Sequence, residues 1–126
     1  MKTKYFLASV DECVDINKNN FMEVKLTMNR IAKTASTLRD KLQDRYDNAE
    51  EPEYDSQIEI FEERQEILEE RIESLEEIID TAEGIEDDID EESDFEDISD
   101  RILDLGIMCD DYQSEYKGFK TLKLEE

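Results

Sequence analysis

The sequence predicts an all-α fold, an antiparallel three-helix bundle packed in the manner of a coiled coil. Three observations predict it. Apolar residues recur at heptad spacing in three separate stretches. Polar breaks fall between those stretches, where helices should end. The connections are short, which favours antiparallel neighbours. A chain of 126 residues suits one domain, residues 1–126, with one modest core.

The first helix is expected over about residues 20–47. Phe21, Val24, Met28, Ile31, Ala35, Leu38 and Leu42 are spaced 3-4-3-4-3-4. Asn19 or Asn20 can cap its start. The run from Asp47 to Pro52 ends it, and Pro52 suits the first turn of the next helix. The second and longest helix is expected over about 53–90. Its seam is Ile58, Phe61, Gln65, Leu68, Ile72, Leu75, Ile79 and Ala82. Gln65 is a polar residue in that seam, of the kind that fixes register or oligomeric state.

The third helix is expected over about 94–117, with Phe95, Ile98, Ile102, Leu105, Cys109, Tyr112, Tyr116 and Phe119 in register. Ser93 or Asp94 can cap it, and Ser93-Asp94-Phe95-Glu96 has the spacing of a capping box. Gly84 and Gly106 interrupt helical pattern, the first as a candidate bend and the second as a place of close approach. Tyr5, Phe6, Phe21, Phe61, Phe95, Tyr112, Tyr116 and Phe119 mostly read as core. Tyr46 and Tyr54 flank the first connection and are candidate contact residues. Residues 2–7 and 119–124 are rich in Lys and in β-branched or aromatic residues, and Leu122 and Leu124 alternate with Lys or Thr. They can pair as a short two-stranded ribbon formed by the chain ends, with frayed tails or a short first helix as the alternatives.

The charge is one-sided. The chain has 38 acidic and 15 basic residues, a formal charge of −23. Residues 47–100 hold 26 acids and only Arg64 and Arg71 as bases, whereas the remainder holds 12 acids and 13 bases. On the second helix the acids fill the positions outside the seam: Glu59, Glu62, Glu63, Glu66, Glu69, Glu70, Glu73, Glu76, Glu77, Asp80 and Glu83. Asp87, Asp88, Asp90, Glu91 and Glu92 continue them into the turn. These sixteen are the candidate partner-binding residues. Several form i,i+4 like-charge pairs, each destabilising an isolated helix by about 0.2–0.5 kcal/mol. The first helix interleaves Lys25, Arg30, Lys33, Arg39, Lys41 and Arg45, which can neutralise one flank of the second. From Glu53 to Glu92 the net charge is −17 over about 60 Å of helix. That is about half the linear density of duplex DNA and comparable to one strand's phosphates.

Composition excludes several chemistries. There is no His, hence no Ser-His-Asp triad, no Cys-His pair and no His metal site. The run Asp87–Asp94 fails the EF-hand pattern, because Ser93 and Ser99 stand where Gly and Glu are required. Carboxylates are plentiful, but no pocket that would raise one pKa is specified. The expectation is no enzyme, no metal and no cofactor. Cys13 and Cys109 fit no C-x-x-C and read as reduced, buried thiols. No apolar run is long enough for a membrane span, and the start has too short a run for a secretory signal. A cytoplasmic protein is expected, in the host bacterial cytoplasm if phage-encoded. The anionic field disfavours direct binding to nucleic acid or to an anionic membrane.

In size, acidity and helical character the chain resembles the small acidic proteins that phages and mobile elements make against host defence. These include DNA-mimic inhibitors of restriction enzymes and of CRISPR effectors. The resemblance implies a stoichiometric, non-catalytic inhibitor that occupies a basic nucleic-acid channel on its target. The partner is then a basic, nucleic-acid-binding protein and the chain itself is favoured as a monomer. The alternative is a structural or adaptor coiled coil that mediates protein–protein assembly, with a homodimer among its forms. A third account makes the charge purely solubilising.

Overall fold

The computed structural model describes residue 10 and residues 12–115. Among the described residues the fold is all-α, with three long helices, α1 (Phe21–Asn48), α2 (Asp55–Asp88) and α3 (Phe95–Glu115), and helical backbone also at Val10, Glu12 and Cys13. No strand occurs among the described residues. The ribbon expected of the ends, with Tyr5, Phe6, Tyr116 and Phe119, lies outside them.

Cross-helix polar contacts fix the directions. Lys25 Nζ donates to the Ile89 carbonyl at 3.3 Å, Asn29 Nδ2 to Glu86 Oε1 at 3.3 Å, and Gln65 Nε2 to the Tyr46 carbonyl at 3.1 Å. α1 and α2 are therefore antiparallel. Asp88 pairs with Arg101 at 2.7 Å, Thr81 Oγ1 donates to Met108 Sδ at 3.5 Å, and Arg71 meets Tyr112, so α2 and α3 are antiparallel too. The starts of α1 and α3 lie at the same end, where the rings of Phe21 and Phe95 stand 6.0 Å apart, tilted by 33°.

The predicted seams are the packed ones, except at the start of α2, where Ile58 and Phe61 are only partly buried and lie outside the core cluster. Val24, Met28, Ile31, Ala35 and Leu42 of α1 meet Ile72, Leu75, Ile79 and Ala82 of α2 and Ile98, Ile102, Leu105, Cys109 and Tyr112 of α3 in one buried cluster. Phe21, Leu38, Leu68 and Phe95 pack against it, partly buried. The core exceeds these seams at Ala32 of α1, at Ile89 and at two further groups of residues. Arg71, Ile78 and Ile85 of α2 are also buried, because the helix packed against both others must bury two stripes. Val10, Cys13 and Ile16 are buried as well. The segment carrying them lies on α3, where Ser99 Oγ donates to the Val14 carbonyl at 2.7 Å. A Cβ on Gly106 would lie 3.3 Å from Val10 Cγ1, so the missing side chain does admit a close neighbour.

The ends of the helices differ from expectation in three details. Asn20 is the N-cap of α1, but its side chain accepts from the upstream Asn17 amide at 2.7 Å instead of from the helix. Asn17 Oδ1 in turn accepts from the Asn19 amide at 2.8 Å, so the asparagines close the preceding turn. Pro52 lies in the connection 49–54, before the start of α2 at Asp55 rather than in its first turn. At α3 the cap is Asp94, whose Oδ1 accepts from the Glu96 and Asp97 amides at 3.1 and 3.3 Å. Ser93 forms no capping box. Its hydroxyl donates to the Asp88 carbonyl at 2.7 Å and accepts from the Asp90 amide at 2.8 Å, closing the turn between α2 and α3.

Candidate functional site

All sixteen predicted contact residues are exposed. The seam positions of α2 take its apolar side chains inward, and the helical period puts the remaining positions on the outside. Glu59, Glu62, Glu63, Glu66, Glu69, Glu70, Glu73, Glu76, Glu77, Asp80 and Glu83 thus share the outer surface of one rigid element. Asp87, Asp88, Asp90, Glu91 and Glu92 lie at its end. Of the sixteen, Asp88 alone has an ion pair among the described residues, to Arg101. That pair is largely exposed, so it contributes at most about 1 kcal/mol.

Among the described residues, Arg101 on Asp88 is the one cation that pairs with this ridge. Arg71 is turned inward and is 3% exposed. Its Nε and Nη2 donate to the Tyr112 hydroxyl at 3.3 and 3.2 Å, and its guanidinium carbon stands 5.9 Å from the ring centroid. On α1, Arg39 pairs with its own neighbour Asp40 at 3.2 Å. Lys33, Lys41 and Arg45 are exposed and make no ion pair with α2. The flank between the helices is joined by the Asn29–Glu86 hydrogen bond, rather than by a Lys/Arg ladder. Lys25 serves the end of α2, since its ammonium on the Ile89 carbonyl puts positive charge at the negative pole of the helix. The last turn of α2 holds no basic residue of its own and three acids, Glu86, Asp87 and Asp88. That is the reverse of what the helix dipole favours.

Counted along α2 alone, 15 acids and 2 arginines give −13 over 34 residues. The helix is about 51 Å long, so one net charge falls every ~4 Å. Phosphates follow one another every ~3.4 Å of axis along one DNA strand. α3 adds Glu96, Asp97, Asp100, Asp104, Asp110, Asp111 and Glu115, all exposed, against the single base Arg101. Glu96, Asp97 and Asp100 belong to the acid-rich stretch 47–100, whereas Asp104, Asp110, Asp111 and Glu115 are offset in the sequence count by Arg101 and the lysines beyond residue 116. The acidic surface therefore extends over two adjoining helices.

Gln65 finds its partner inside the chain. Its amide donates to a carbonyl in the last turn of α1, one of the four that a helix end leaves open. Of the two flanking tyrosines, Tyr46 packs against the core and Tyr54 is exposed. Sequence reading missed Ile60 and Ile67 on α2, which are half exposed beside the acids. Their signal is a second heptad row, Ile60-Arg64-Ile67-Arg71, displaced from the first seam. Cys13 and Cys109 are free, buried thiols, and burial pushes Cys109 up to about 12. Among the described residues no group of three or more Cys, Asp or Glu converges to hold a metal ion. None of their helices is long and apolar enough to cross a membrane.

No protein-family model, curated protein or solved structure matches the chain.

Proposed function

We propose that the protein is a non-catalytic inhibitor of a nucleic-acid-processing host defence protein, of the anti-restriction or anti-CRISPR type. It presents the carboxylates of α2 and the following turn to a Lys/Arg-lined cleft in place of phosphates. One observation carries this reading: sixteen exposed carboxylates on α2 and the turn that follows it, fifteen of them without an ion pair among the described residues. The arrangement is costly to the fold. Like-charge pairs along α2 and acids at its C-terminal pole both oppose helix formation. Solubility would need neither, since interleaved lysines, as on α1, keep a helix solvated at lower cost.

Such binding is governed by ion release and screening, and it weakens steeply with salt. The test is cleavage by a panel of restriction and CRISPR nucleases with the purified protein added at 50 and 500 mM salt. The expected result is stoichiometric inhibition of a panel member, relieved by excess non-cleavable duplex and lost at the higher salt. Charge reversal of Glu66, Glu69, Glu70, Glu73 and Glu77 to Lys abolishes it while helicity is retained. Inhibition unchanged in that variant rejects the assigned face, and failure to affect any nuclease rejects the class of target.

A further inference from the structure

A second surface lies beside the acidic ridge and has a different character. Along α2 the row Ile60, Arg64, Ile67, Arg71, Ser74, Ile78, Thr81 and Ile85 keeps a 4-3-4-3-4-3-4 spacing. In its C-terminal half this row is the seat of α3. Arg71 bonds Tyr112, Thr81 bonds Met108, and Ile78 and Ile85 are fully buried. In its N-terminal half the same row has no helix of the described residues on it. Ile60 and Ile67 there are 51% and 48% exposed. A groove of about 360 Å³, lined by Glu50, Pro52, Gln57, Ile60, Phe61 and Arg64, opens at this end. One position before each row member stand Glu59, Glu63, Glu66 and Glu70, all exposed. The open half thus continues an established helix–helix interface and has a carboxylate row along its edge.

We infer that the open half of this row is a docking seat for an amphipathic α-helix of a partner protein. The helix carries apolar residues at i, i+3/i+4 and i+7 and Lys or Arg along one edge. The apolar residues sit on Ile60 and Ile67 as α3 sits on Ile78 and Ile85. The cationic edge meets Glu59, Glu63, Glu66 and Glu70. A helix is the occupant because the row has the heptad geometry that accepts one. The basic edge follows from the carboxylates beside it. Arg64, within the row, has a long apolar stem that a packed helix can cover while its head stays in water. The inference does not depend on the inhibitor reading, since the seat is apolar and its selectivity is for helical register.

The test uses the full chain and two labelled 18-residue Leu/Lys peptides of identical composition at 150 mM salt. One has its leucines at helical spacing and the other has them out of register. Fluorescence anisotropy is expected to show the in-register peptide binding about tenfold more tightly, from burial of two half-exposed isoleucines. The Ile60→Gln/Ile67→Gln variant leaves the charge unchanged and is expected to abolish that preference, whereas Leu103→Gln/Ile107→Gln on α3 retains it. Circular dichroism checks that both variants keep wild-type helicity. Equal binding of the two peptides by the wild type means adventitious charge attraction and overturns the proposal. So does a preference that survives in Ile60→Gln/Ile67→Gln. No binding by the full chain overturns it as well, including the outcome in which residues 116–126 compete for the seat.

Discussion

Glu66 and Glu73 each sit in the middle of two like-charge pairs on α2. Glu62–Glu66, Glu66–Glu70, Glu69–Glu73 and Glu73–Glu77 are all i,i+4, and every member is exposed and without an ion pair among the described residues. The double substitution Glu66→Gln/Glu73→Gln removes all four pairs without changing side-chain length or helix propensity appreciably. At about 0.2–0.5 kcal/mol per pair, the expected gain is about 1–2 kcal/mol. For a chain of this size that is a rise in Tm of about 3–8 °C. The assay is thermal and urea unfolding followed by circular dichroism, at 20 mM and 1 M salt. At 1 M the Debye length is about 3 Å, shorter than the spacing of the paired carboxylates, so the gain should fall by half or more. The wild-type Tm should itself rise with salt. A variant no more stable than wild type in dilute buffer would refute the reasoning. It would mean that these carboxylates are compensated within the fold, and that the ridge has less unopposed charge to offer a partner.

Other substitutions probe the scaffold. Gly84→Ala should stabilise by about 0.5–1 kcal/mol in urea melts, because alanine is the better helix former and its Cβ would stand at ordinary contact distance, 3.5 Å, from Arg101 Nη2; a loss of stability would show that the guanidinium cannot share that space. Asp94→Ala should cost about 1 kcal/mol by removing the acceptor of two first-turn amides of α3, whereas Asp94→Asn should cost much less, and equal losses would reject the capping role. Burial raises Cys109 from 9.0 to about 12, so between those pH values the unfolded chain releases a proton that the folded chain keeps. The thiol is neutral in both states below pH 9, and above it stability falls, by about 1 kcal/mol at pH 10. Urea midpoints at pH 8 and 10 should therefore drop less in Cys109→Ala than in wild type, and parallel drops would sink the assignment.

Much of the fold was legible in the sequence because heptads are a local record of a long-range contact. The seam of α1, the α1-facing seam of α2 from Leu68 onward and the described part of the α3 seam were each readable as 3-4 repeats, and their residues pack together. Every candidate acid was likewise exposed as its position outside the seam implied. Their electrostatic isolation was not legible. The prospect of neutralisation by α1 depended on where its cations reach, and Lys25 and Arg39 reach a carbonyl and a neighbouring aspartate instead.

By itself the sequence determined three amphipathic helices, their order, and a net charge concentrated on the middle one. Those properties follow from residue type and period, and they hold for each segment alone. Only the tertiary structure decided that α2 buries a second stripe. That stripe includes Arg71, Ser74 and Thr81, and its polar members blend into the charged surface until α3 is laid over them. It also decided that the segment bearing Val10, Cys13 and Ile16 joins the core, and that Gln65 closes the end of α1. Each of these depends on which atoms meet across elements distant in the chain, and a one-dimensional period carries no record of that.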